Sequence, residues 1–193
     1  MKSSGNPGTA RLFIAIDIGG DLRRELGRML SKLARTGAHA RWVPAANLHL
    51  SLAFLGDTPA GNIASIKELL EEVAAAVEPF PLHLRSLGYF GRKGRPRVVW
   101  AGVEAVDGLL LLQSRLSEGL ELLGIETDKR PYRPHITLGR IKSGRGRECL
   151  LEFLEENAQT DFGQQSVAAI NLFESTLTPA GARHQSLHSA DLG

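Results

Sequence analysis

The sequence predicts a fold of mixed α and β elements, in which a β-α-β-α-β unit is used twice to build two similar lobes. Three observations carry this. Two short apolar runs, Leu48-His49-Leu50-Ser51-Leu52 and Pro134-His135-Ile136-Thr137-Leu138, repeat one pattern 86 residues apart. The same 86-residue shift lays Phe13 on Val99, residues 22–33 nearly on 109–120, and residues 82–87 on 168–174. Turn and cap residues punctuate the two halves, about 11–90 and 97–190, at matching places.

Residues 11–17 (RLFIAID) form a short apolar run that reads as a buried strand. Gly19-Gly20-Asp21 breaks it and offers a helix cap. Leu22, Leu26, Met29, Leu30 and Leu33 then recur at helical spacing, with charged residues between them. Trp42-Val43-Pro44 leads into the first His strand, residues 48–55, expected to stop at Gly56-Asp57. Thr58-Pro59 is expected to open a second helix with Ile66, Leu69, Leu70, Val73 and Val77 as its apolar stripe. Residues 82–87 follow as a strand, and the basic, Gly-rich residues 91–97 as a loop or hairpin tip.

The second unit repeats this order. Residues 98–103 form a strand, and Leu109, Leu112, Leu116, Leu120 and Leu123 mark a helix closed by Gly124. A loop with Pro131 and Pro134 feeds the second His strand, residues 134–141. A shorter helix over 145–157, a strand over 167–174 and a turn at residues 178–181 come next. The polar run 183–188 reads as an edge strand.

Composition narrows the class. With 193 residues, 42% hydrophobic and 23% charged, the chain has the makeup of a globular domain with a real core. No apolar run reaches the roughly 18 residues of a membrane span, and no membrane partner is expected. Residues 1–10 lack an apolar segment and read as a disordered leader before a single bilobal domain, 11–193. The lone Cys149 excludes an internal disulfide, suits a reducing cytoplasm and reads as a small hydrophobe. Net charge is only +2, yet residues 129–147 hold seven Lys/Arg and no acid, and residues 85–97 five more. The first of these runs brackets His135, which favours an anionic substrate.

In a strand, side chains at i and i+2 share a face, so His49 stands with Ser51 and His135 with Thr137. A pseudo-two-fold axis between the lobes would bring the two strands face to face. Two imidazoles can then divide a reaction, one taking the nucleophile's proton and the other protonating the leaving group. The hydroxyls can donate to a developing oxyanion, and the basic rim suits a phosphate diester. This chemistry requires neither metal nor cofactor.

The paired motifs resemble the 2H phosphoesterase superfamily. Residues 12–16 (LFIAI), 41–44 (RWVP) with 47–56 (NLHLSLAFLG), 133–140 (RPHITLGR) and 172–175 with 177–181 resemble its LigT-like branch, the RNA 2′,3′-cyclic phosphodiesterase or 2′-5′ RNA ligase family. The resemblance covers about residues 11–190. It implies a bilobal α+β fold with antiparallel sheets lining a central cleft and helices outside. It also implies hydrolysis of a terminal RNA 2′,3′-cyclic phosphate to a 2′-phosphate. His135 would be the proton acceptor and His49 the proton donor; Ser51, Thr137 and Arg140 would hold the phosphate. Ser51 departs from the commoner threonine, which keeps the donor and loosens its χ1. Arg130, Tyr132 and Arg133 are candidate RNA contacts, open equally to a role in a Pro-braced surface loop. Phe54 shares the parity of Leu50 and Leu52 and is expected in the core, whereas His39, His83, His184 and His188 receive no role.

Three rivals stay open: 2′-5′ ligation through the same histidines, a non-catalytic RNA- or nucleotide-binding module, and a small cyclic nucleotide or an ADP-ribose cyclic phosphate as substrate. The expected protein is a cytoplasmic monomer whose partner is RNA with a 2′,3′-cyclic phosphate end.

Overall fold

The computed structural model describes residues 8–179 and 181–193, so most of the expected leader lies outside the described residues. The first strand, β1 (Thr9–Asp17), already begins within that leader, with Thr9 and Ala10 opposite Pro59 and Thr58. Then follow α1 (Gly20–Arg35), the short β2 (Ala40–Trp42), β3 (His49–Pro59), α2 (Ile63–Ala75), β4 (Phe80–Arg92) and β5 (Arg95–Val103). The second half holds α3 (Asp107–Leu122), β6 (His135–Ile141), α4 (Arg147–Glu156), β7 (Asp161–Val167), β8 (Ala169–Thr178) and β9 (Gly181–Asp191).

Two antiparallel sheets result, in the orders β3-β1-β8-β9 and β2-β6-β5-β4-β7. This is the α+β architecture expected. Its topology carries a feature that the repeat did not announce: each sheet takes two strands from the opposite half of the chain, β8 and β9 in the first sheet and β2 and β4 in the second. By the 86-residue shift β4 corresponds to β8, yet β4 pairs with β5 and β8 pairs with β1. The helices follow suit, α2 and α3 lying against the first sheet and α1 and α4 against the second. The exchange interlocks the halves around one continuous apolar core running from Leu12 to Leu192.

Three expected boundaries shift. β3 runs through Gly56-Asp57 to Pro59 because its pairing with β1 continues past a bulge at Leu55, where Gly56 takes φ 68°. The second helix therefore starts at Ile63, after a 3₁₀ turn over Ala60–Asn62, and not at Thr58-Pro59. The strand expected over 167–174 is two strands parted at Ala168. β7 closes the edge of the second sheet beside β4, and β8 joins the first. The hairpin tip at residues 93–94 and the edge strand β9 lie where expected.

Two helical glycines separate propensity from packing. Gly27 sits inside α1 with only Ala45 Cβ within reach of a new methyl, at 3.8 Å. Gly27→Ala is expected to raise stability by about 0.5–1 kcal/mol, read as the shift in chemical denaturation. A Cβ on Gly119 of α3 would instead run into the Leu69 methyls of α2, 3.0 Å from Cδ2. Gly119→Ala should therefore lose that gain by spreading the two helices. No helix among the described residues is long and apolar enough to cross a membrane.

Candidate active site

The two motif strands β3 and β6 approach one another where the sheets meet. Asn47 stands two residues before His49, and Arg133 two before His135, so these anchors are also 86 residues apart. Each histidine donates its Nδ1–H to the carbonyl oxygen of that residue: His49 to Asn47 at 2.8 Å and His135 to Arg133 at 2.8 Å. A carbonyl can only accept, so the bond sets the same tautomer in both rings and leaves each Nε2 as the working nitrogen. Asn47 is itself held, its Nδ2 donating to the Ala182 carbonyl at 2.8 Å. Arg23 of α1 fixes the turn before it, donating to Ala45, Ile18 and Asp17 within 2.9 Å.

A second device is shared. Opposite β1, Ser51 faces Ala15 and Ala53 faces Ile14, leaving Leu52 as an extra residue. Opposite β5, Thr137 faces Trp100 and Gly139 faces Val99, leaving Leu138 extra. The bulges are again 86 residues apart, and each flips the strand's parity. Beyond it, Phe54 joins the face of His49 and Ser51, and Arg140 joins the face of His135 and Thr137. This corrects the core placement expected of Phe54, which is 53% exposed. Arg11 lies over its ring at 4.9 Å. One half thus offers an aromatic ring where the other offers a guanidinium.

Among the described residues, neither the Ser51 nor the Thr137 hydroxyl is engaged in a side-chain hydrogen bond. Tyr132 lies near the first motif, its hydroxyl donating to the Ser51 carbonyl at 3.1 Å, and burial pushes that phenol's pKa up. It ties the approach to one motif onto the strand of the other. Arg133 lines the cavity beside His135. Arg130 does not share it; its guanidinium holds Asp128, whose carboxyl is drawn down to about 2.

Several neighbours carried no signal in the sequence. His184 of β9 meets His49 edge-on at 5.5 Å between ring centroids, and both rings rest on Phe13. Burial, helped by His184, lowers the His49 pKa against the opposing pull of Asp17 and the Asn47 carbonyl. Arg41 of β2 stands directly opposite Arg140. Like charges face to face cost stability unless an anion answers them. The 86-residue shift pairs Phe54 with Arg140 and could have drawn attention to Phe54. His184 and Arg41 reach the site through pairings that local spacing does not encode. Among the described residues no three His, Cys, Asp or Glu side chains are grouped to hold a metal ion.

Two antiparallel sheets, each presenting a His-x-Ser/Thr strand, define an enzyme of the two-histidine phosphoesterase class, of LigT-like fold. More narrowly, the chain belongs to the 2′-5′ RNA ligase superfamily, whose family model matches residues 22–176. It is 34% identical over 171 residues to the RNA 2′,3′-cyclic phosphodiesterase of Methanothermobacter thermautotrophicus, covering 89% of this chain and 92% of that one. The protein of the same name from Thermotoga maritima is 35% identical over 181 residues, covering 92% and 93%. Among solved structures, TT0787 of Thermus thermophilus superposes with a TM-score of 0.81 at 33% identity, covering 94% of this chain and 97% of that one. Escherichia coli LigT complexed with 3′-AMP gives 0.77 at 27% identity, covering 95% and 98%.

Proposed function

We propose that the chain is an RNA 2′,3′-cyclic phosphodiesterase that opens a terminal cyclic phosphate to a 2′-phosphate by His/His acid–base catalysis. The observation that carries this reading is the pair of imidazoles held in one tautomer by equivalent carbonyl bonds, each with its Nε2 left for chemistry. The names of the curated relatives supply the substrate. His135 Nε2 takes a proton from water as its oxygen bonds to phosphorus. The bond from phosphorus to the 3′ oxygen breaks, and His49 Nε2–H protonates the departing oxygen. Ser51 and Thr137 donate to the non-bridging oxygens, and Arg140 answers their charge. Arg41, across the strand pair from Arg140, adds a second cation for the RNA backbone. Arg133, which lines the cavity beside His135, is a further RNA contact, and the protein works as a cytoplasmic monomer.

The burial of His49 makes this reading testable by pH. A proton donor must be charged, and in the free protein burial lowers its pKa below the ordinary 6.5. A phosphate anion in the cleft restores the imidazolium. The limb of kcat/KM that reports His49 should therefore lie below 6.5, activity falling as pH rises through it. The kcat profile, which reports the complex, should keep that limb at higher pH. The folding linkage has the matching sign: stability from a neutral His49 is present above pH 6.5 and lost as pH falls, because the unfolded chain binds the proton better.

The direct test is product analysis on a short RNA ending in a 2′,3′-cyclic phosphate. A 2′-phosphate product without added metal is expected. A 3′-phosphate, or no turnover, would overturn the reading.

A further inference from the structure

A cavity of about 430 Å³ opens beside His135, walled by Arg85, Phe90, Trp100, Arg133 and Gln159; His49 is not part of its wall. Its floor is built to expose an indole face. A Cβ on Gly88 would stand 2.6 Å from Trp100 Cζ2, and one on Gly102 would stand 3.3 Å from Cζ3. Glycine at position 88 is what leaves room for the Trp100 ring over β4, whereas a Cβ on Gly102 would meet the Arg85 carbonyl oxygen, at 2.6 Å, before the ring. The ring's Nε1–H is buried and has no acceptor among the described residues. Ser86, also in the wall, is the one non-glycine described residue with positive φ, at 74°. Backbone strain of this kind is concentrated at ligand sites. Phe90 meets both Trp100 and His135, at 5.4 and 4.8 Å between ring centroids.

We propose that this cavity is a subsite for a second nucleoside, the one whose 5′ oxygen faces phosphorus from the His135 side. The proposal rests on the roles given above to His49 and His135. In an in-line displacement the attacking and departing oxygens lie on opposite sides of phosphorus. With the 3′ oxygen on the His49 side, the nucleoside that carries the cyclic phosphate lies toward His49 and Phe54. The cavity lies on the other side, where the nucleophile stands. Water needs no aromatic floor there, and a nucleoside does. Its base stacks on Trp100 and Phe90, as single-stranded RNA stacks on aromatic platforms. Arg133, with no ion-pair partner among the described residues, and Arg85, shared with Glu104 at 3.5 Å, meet its following phosphodiester. The step balances. The 5′ oxygen bonds to phosphorus and gives its proton to His135 Nε2, while the bond to the 3′ oxygen breaks and that oxygen takes the His49 proton. The product is a 2′-5′ phosphodiester.

The test uses the full chain, an RNA ending in a cyclic phosphate, and a 5′-hydroxyl dinucleotide as the probe. Joined product should rise and saturate with dinucleotide. Arg85→Gln and Trp100→Phe should each lower it by about five-fold or more, as lost stacking or a lost phosphate contact predicts. Hydrolysis of a cyclic mononucleotide without acceptor should stay within about two-fold, since no base or phosphodiester then occupies the cavity. Equal loss of joining and hydrolysis would overturn the proposal, as would unchanged joining in both variants. Loss confined to long cyclic-phosphate RNA would also overturn it, by placing the first strand in the cavity. Tryptophan fluorescence reads the cavity without turnover: the dinucleotide should quench the wild type and not Trp100→Phe. If hydrolysis is absent but that quench is present, the catalytic reading fails and the subsite stands; if the quench is absent, the subsite fails.

Discussion

His49→Ala and His135→Ala are each expected to lower kcat/KM for cyclic-phosphate RNA by about 10²–10⁴-fold, the range general acid–base groups contribute. The expectation follows from geometry more than from residue type. Each ring is committed at Nδ1 to a main-chain carbonyl, so its only use beyond packing is at Nε2. Because the two rings serve one proton circuit, the double variant should be little worse than either single one, as for groups that act as a unit. RNA affinity should stay within about tenfold, since Arg140 and Arg133 remain and charge sets most of the binding. His49 packs on Phe13 and touches His184, so thermal denaturation must accompany the kinetics. His49→Gln, which keeps more of the volume, separates a cavity effect from a chemical one. Near-normal turnover in both alanine variants would remove the mechanism.

The parts of this protein that were legible in its sequence are those whose cause is local. A run such as residues 11–17 or 22–33 declares its element because its periodicity reflects one face meeting one core. The paired motifs were legible because repetition at one spacing is visible without a fold. The exchange of β4 and β8 was not, since strand pairing is decided by long-range contacts that leave no local pattern. β7 was hidden for a related reason: at a sheet edge, DFGQQSV buries little beyond Phe162 and Val167. The misplacement of Phe54 has the most instructive cause. Simple alternation along β3 fails at the bulge, where one extra residue reverses the face of all that follows. The bulge hides the cleft-facing ring of Phe54, whereas Arg140, beyond the matching bulge, is named by the family resemblance and not by alternation. His184, Arg41 and Trp100 reach the cleft from β9, β2 and β5, strands that carry no motif of their own.

The bulge in β6 also leads to the second large expected effect. Gly139 follows the extra residue and is paired with Trp42 of β2. A Cβ there would lie inside the indole of Trp42, with Cδ2 at 3.3 Å and nearer ring atoms in full overlap. Gly139→Ala must therefore push β2 away or undo the bulge, at a cost of about 1–3 kcal/mol for overpacking a fitted contact. Both routes move Arg140 and the Arg41 opposite it, so KM for RNA should rise by about tenfold while kcat changes less, as for loss of binding shared by ground and transition states. The first half provides the control. Its matching residue is Ala53, which already carries a Cβ and is only 9% exposed, so the bulge itself tolerates a methyl. The intolerance belongs to Trp42. Trimming that ring in Gly139→Ala/Trp42→Leu should recover part of the lost stability and KM, giving a coupling of about 0.5–3 kcal/mol in a double-mutant cycle. Additive effects, or a single variant with unchanged midpoint and KM, would show that the Trp42–Gly139 contact does not hold Arg140 toward the cleft.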